Sequence, residues 1–235
     1  MQAPIIEALK AYKTNFNVRD LISLPPDTPY GNLNLTYMQI VIRIEVLNEA
    51  ITELYDGFFS HMERTKANHG SSNLDEGLKH KFQIEQVIYW LRKTADELIS
   101  ILSVLYNYKA LGNYPDKVPV PSIGKFLNLD KREYFNLEGQ VKLFNVLNDI
   151  SNAYKHTLIN AQISNYVGRD EPVVFALSAY NQANVTPNFH QVSLKAILDE
   201  YNQFLLIIRS ELESNYQMSV IAYKPYETNS SNQTF

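Results

Sequence analysis

Between Leu35 and His69 the apolar residues Leu47, Ala50, Ile51, Leu54, Tyr55, Phe58, Phe59 and Met62 recur at steps of three and four. That spacing gathers them on one face only if the backbone is an α-helix. A second run, Leu74 to Tyr108, repeats the pattern with Phe82, Val87, Ile88, Leu91, Ala95, Leu98, Ile99, Leu102 and Leu105. Long helices with one apolar face require neighbours to cover it, so these two runs commit most of the chain to helix packing.

The punctuation between the periodic runs sets the element order. LPPDTPYGN at 24–32 holds three prolines, which ends a short first helix at about 3–14 and makes a rigid connector. HGSSN at 69–73 breaks the pattern, and Asn73 with Glu76 has the spacing of a capping box that starts the second long helix. GNYPDKVPVPSI, 112–123, reads as an ordered loop with a short helical turn at 122–129 behind it. A third long helix is predicted from Leu137 to Ile163. VVFALSAY, 173–180, changes character to β-branched and aromatic residues, and FHQV, 189–192, supplies the second strand of a hairpin. Ser193 then caps a last helix to Asn215 with Leu194, Ile197, Leu198, Tyr201, Phe204, Leu205, Ile208 and Leu212 facing inward. The expected fold is all-α: an antiparallel bundle of four long helices with a short N-terminal helix and a β-hairpin at about 172–192 before the last helix. It forms a single domain over 1–226, followed by a disordered tail at 227–235.

Composition narrows the function classes. Hydrophobic content of 45% supports a packed core, and a net charge of −4 excludes a broadly basic surface that would coat nucleic acid, leaving any phosphate contact to a local patch. Cysteine is absent, which removes disulfides, thiolate nucleophiles and thiolate metal sites. The first residues, MQAPIIEALKAYKTNF, lack the apolar core of an export signal, and the longest apolar run is FLLII at 204–208, against the roughly 20 residues a membrane span needs. A cytoplasmic protein without membrane contact is expected.

The stretch NDISNAYKHTLINAQ, 148–162, is unusual for a helix. Projected at helical spacing, Leu143, Val146, Leu147, Ile150, Ala153, Tyr154, Thr157, Leu158 and Ala161 form the core arc. Asn145, Asp149, Asn152, His156 and Asn160 form a narrow polar line beside it. Asn and Asp are mediocre helix formers, so a line of them costs propensity that some contact should offset. One reading is a hydrogen-bonded seam between helices or at a dimer interface. The other is a site, in which His156 exchanges protons near neutral pH, Asp149 orients it, and Lys155, off the line, meets a phosphate.

ISNAYKH resembles the Asn-x-x-Lys-His end of the motif of the HEPN superfamily, compact bundles of long helices whose active members place an Arg and a polar spacer before a His. The resemblance implies a composite cleft of two protomers that cuts RNA without metal, His156 matching the family histidine and Asn152 the polar spacer. The family arginine belongs near Ser151, and no Arg occurs from 133 to 168. Arg supplies a permanent forked charge that serine cannot replace. Another cation must therefore substitute, Lys155 or Arg92, or the site binds without catalysis.

Other chemistry has less support. His61, His69, His80 and His190 show no ligand spacing, and no glycine-rich phosphate loop or nucleophile elbow is present, so neither metal nor cofactor is expected. Lys79, Lys81, Arg92, Lys93, Lys125, Lys131 and Arg132 are the cations available to converge on the stripe, and Trp90 reads as core. The resulting expectation is a HEPN-like homodimer of a bacterial defence or toxin–antitoxin type, a degenerate ribonuclease or an RNA-binding relative. The alternatives are an interaction subunit whose stripe and hairpin build an interface with a partner protein, and a nucleotide or small-molecule sensor.

Overall fold

Helix starts are marked by side chains that accept otherwise unbonded amides. The computed structural model describes residues 3–9, 22–67, 74–130, 136–156, 170–178 and 186–216. Asn32 Oδ1 accepts the Leu35 amide at 2.9 Å and opens α1, Leu33–Ala67. Ser122 caps the short α3, Ile123–Leu127, by accepting from the Lys125 amide. Ser193 Oγ accepts from Ala196 and opens α5, Leu194–Tyr216, as its position after the hairpin predicts. α2 spans Leu74–Leu111 and gives way at Gly112, whose φ of 75° suits a residue without a side chain. α4, Val141–His156, follows a single 3-10 turn at Glu138–Gln140. The chain is thus mostly helical, with a small two-stranded antiparallel sheet immediately before the last helix.

α1 and α2 run antiparallel: Arg43 meets Thr94 and Glu97 near one end, and His61 meets Glu76 at the other. α2 also packs on α3, α4 and α5. Phe144 of α4 stands edge-on between Phe126 of α3 and Phe204 of α5, at 5.4 and 5.2 Å between ring centroids. Among the described residues the buried core draws on α1 to α5 and on strand β1, Val173–Ser178. All eight residues expected inward on α5 are buried.

β1 pairs with β2, Asn188–Ser193, in the register Val173↔Ser193 to Ser178↔Asn188. β1 is the inner strand and lies on α4, where the Tyr154 hydroxyl donates to the Phe175 carbonyl at 2.9 Å. Phe175 of β1 and Phe189 of β2 stack from one strand to the other.

Several expectations need correction. Residues 3–9 are not helical; side chains of α1 and α5 take the backbone groups of residues 5–8, which an α-helix would use internally. Phe82 is 61% exposed rather than inward. It sits two residues from both His80 and Ile84, which are buried, and two residues turn a helix by about 200°. Trp90 is only partly buried, its face occupied by the Arg43 guanidinium 5.2 Å from the ring centroid. Glu76 turns to His61 and Arg64; its expected capping partner Asn73, the third helix beyond His156, residues 10–14 of the first helix and the tail at 227–235 lie outside the described residues.

Candidate functional site

On α4 the residues Leu143, Phe144, Leu147, Ile150, Ser151 and Ala153 are buried, which fixes the rotation of the helix. The polar line then falls on its flank: Asp149 and Asn152 are half-buried, while Asn145, Lys155 and His156 are exposed. Asn160 lies outside the described residues. Asp149 and His156 are seven residues apart, a rise of about 10 Å along the helix.

The structure brings Arg92 to this line. Its α2 neighbour Leu91 is fully buried, so the Arg92 side chain emerges at the edge of the core with 13% exposure and reaches α4. Arg92 Nη1 donates to Asn152 Oδ1 at 2.8 Å. Arg92 Nε lies 3.8 Å from Asp96 Oδ2, an ion-pair distance too long for a hydrogen bond, and this buried nitrogen has no hydrogen-bond partner. The guanidinium is therefore held from one side and keeps an unmet donor.

Asp96 ties the same spot to α3. Its Oδ1 accepts the Ile123 amide at 2.7 Å. Burial raises its carboxyl above the ordinary value, against the lowering pull of the Ile123 amide and of the Arg92, Lys155 and Lys93 charges. α3 approaches α4 closely here: a Cβ on Gly124 would stand 3.2 Å from Asn148 Oδ1.

Lys155, one helical turn beyond Asn152, holds its ammonium 5.7 Å from the Tyr89 ring centroid, an exposed cation–π contact. His156 follows at the rim. Arg92, Asn152 and Lys155 are thus gathered where α2 and α4 meet, with His156 beside them. Asn145 is seven residues from Asn152, about 10 Å away along the helix. Of the other α2 cations, Lys81 pairs with Glu85 at 3.6 Å and Lys93 with Glu97 at 3.2 Å, while Lys79 is exposed near the start of the helix. Lys125 is exposed on α3, and Lys131 and Arg132 lie outside the described residues.

A ligand carrying negative charge would meet a forked guanidinium, an ammonium, a carboxamide and an imidazole on one face. Sequence reasoning missed Asp96 and Tyr89 as parts of it. Arg92 and Asp96 stand four apart, a helical ion-pair spacing that was legible; nothing local indicated that Asp96 would also hold α3.

A second polar cluster lies at the other end of α1 and α2. The buried rings of His61 and His80 are 5.8 Å apart, and His61 Nδ1 is 2.5 Å from Glu76 Oε2, which Arg64 flanks on its other oxygen at 2.9 Å. Burial is the main cause lowering the His80 pKa, aided by the His61 and Lys79 charges and opposed by a hydrogen bond to the Gly57 carbonyl and by Glu76. Among the described residues no group of three or more His, Asp or Glu is placed to hold a metal ion, and no helix is long and apolar enough to cross a membrane.

Comparison with protein-family models, with curated proteins and with solved structures finds no match for this chain.

Proposed function

We propose that this chain is a HEPN-like RNA-binding protein, its four long helices forming an antiparallel bundle, in which the face shared by α2 and α4 takes an RNA phosphate. Arg92 stands in for the missing motif arginine. The observation that carries the reading is the 2.8 Å bond from Arg92 to Asn152: it sets the only kind of side chain with a forked permanent charge beside the polar spacer position, from a different helix than the motif would use. Asp96 offsets part of that charge, which favours binding over cleavage and a degenerate relative of metal-independent ribonucleases over an active one. A cytoplasmic homodimer acting in a bacterial defence or toxin–antitoxin setting is the context that the motif resemblance supports.

The test is binding of a fluorescent single-stranded RNA, measured by anisotropy at several salt concentrations. Wild type binds with a salt-dependent affinity, Arg92→Lys and Lys155→Glu each weaken binding at least tenfold, and no cleavage product forms. Affinity unchanged in both variants sinks the reading; cleavage lost in His156→Ala would replace it with an active nuclease.

A second reading, a protein-interaction subunit, draws on the hairpin. Phe189 on the outer strand is 51% exposed, an aromatic of the kind that anchors interfaces. Phe189→Ser would then halve the mass seen by light scattering, and an unaltered mass counts against it.

A further inference from the structure

The segment Ile5–Ala8 is held as a peptide ligand is held. Asn48 of α1 accepts the Ile6 amide at Oδ1, 2.7 Å, and donates from Nδ2 to the Ile6 carbonyl, 2.9 Å. One carboxamide thus reads both backbone groups of one residue, the two-bond ring that a neighbouring strand would make. Asn202 of α5 holds the residues on either side of Ile6: Oδ1 accepts the Glu7 amide at 2.8 Å and the Ala8 amide at 3.4 Å, and Nδ2 donates to the Ile5 carbonyl at 3.0 Å. Between the two clamps the Ile6 side chain is fully buried, with Ala8 and Leu9 nearly so. The Glu7 side chain points outward.

Backbone clamps with one aliphatic anchor are the grammar of extended-peptide recognition: main-chain bonds give affinity and a pocket gives specificity. A cavity of about 480 Å³ opens beside the clamp, between Glu7 and Ala8 of the segment and Asp199, Gln203, Leu206 and Arg209 of α5.

We propose that the groove between α1 and α5 is a binding site for an extended peptide with a branched aliphatic residue at the Ile6 position, and that its ligand in trans is residues 5–9 of a second copy of this chain. None of the five clamp bonds depends on the segment being covalently joined to the groove that holds it. A second copy carries the matching peptide and an identical groove, and exchanging an identical element is a low-cost route to a dimer.

Full-length variants test this by complementation. Ile6→Asp disables the segment and leaves the groove free, while Asn48→Ala with Asn202→Ala disables the groove and leaves the segment intact. Mixed, the two form a heterodimer by light scattering that neither forms alone. A fluorescent peptide of residues 2–9 binds Ile6→Asp saturably and at least tenfold more tightly than it binds wild type, and the peptide carrying Ile6→Asp does not bind. Peptide binding without a heterodimer overturns the second copy as occupant; a folded Ile6→Asp protein that takes neither peptide nor donor overturns the site. If Ile6→Asp does not fold, hydrogen exchange on wild type decides. Exchange of the Ile6 and Glu7 amides through an opening insensitive to denaturant, faster than at Phe204, supports a detachable segment. Exchange only on global unfolding overturns it.

Discussion

Arg92 of α2 donates to Asn152 of α4 across 2.8 Å although sixty residues separate them in the chain. With 13% of the side chain exposed, the guanidinium relies on that carboxamide, since Nε has no hydrogen-bond partner. Asn152→Ala removes the acceptor and is expected to destabilise the fold by about 1–3 kcal/mol, read as a lower urea midpoint at unchanged slope. A midpoint equal to wild type would show that water satisfies the group.

Lys155 is exposed and rests on Tyr89. Lys155→Ala should leave stability within about 0.5 kcal/mol. If the face binds a single strand, the slope of log affinity against log salt should become shallower by about 0.7 for each phosphate that Lys155 neutralises. A stability change without any effect on the slope would assign Lys155 to the fold alone.

Phe144 joins three helices through its edge-on contacts with Phe126 and Phe204, and it is fully buried. Phe144→Ala should cost about 3–5 kcal/mol, a large part of the roughly 5–15 kcal/mol that holds a typical domain together. Calorimetry would register a drop in Tm of many degrees, and a small drop would mean that the neighbours collapse into the space.

The His80 pKa is depressed in the folded protein, chiefly by burial. Below its ordinary value of 6.5 the unfolded chain binds a proton that the folded chain resists. Stability is therefore level above about pH 6.5 and declines as the pH falls from there towards the lower folded value. Glu76 is also depressed, first by its hydrogen bond to His61, and its contribution disappears only at more acid pH, below its ordinary 4.5. Urea midpoints at pH 7.5, 6.5 and 5.5 should show this decline in wild type, and His80→Gln should flatten it. Parallel curves for the two proteins would place the pH dependence elsewhere.

Gly57 faces His80 so closely that a Cβ would stand 3.0 Å from His80 Cε1. Replacing a mid-helix glycine by alanine ordinarily stabilises by roughly 0.5–1 kcal/mol. Here the imidazole is buried against His61 and has little room to yield, so Gly57→Ala should lower the urea midpoint, and combining it with His80→Ala should restore the usual gain. A raised midpoint in the single variant would show that His80 moves aside.

Much of the secondary structure was legible because its causes are local. Ser193 opens α5 and the eight apolar positions after it are all inward, since capping and helical spacing depend on residues within a few turns. Strand β1 was legible in VVFALS for the same reason, its β-branched and aromatic residues being bounded by Pro172. Phe82 failed because its apolar character was weighed without its angle to His80 and Ile84. The candidate site was legible only in part. The polar line on α4 could be drawn from spacing, and Arg92 could be named beside Lys155 as a cation to replace the missing arginine, but the choice between them could not be made.

What the sequence by itself determined about this protein is therefore the periodic helices, the hairpin before the last one, and a propensity-poor line of asparagines on α4. Only the tertiary structure decided that Arg92 meets Asn152, that His61 meets His80, and that residues 5–8 give up a helix for the carboxamides of Asn48 and Asn202. Those contacts depend on how far each helix is turned and shifted against its neighbours. Packing of the whole core sets that rotation and shift, and no local run of residues encodes it.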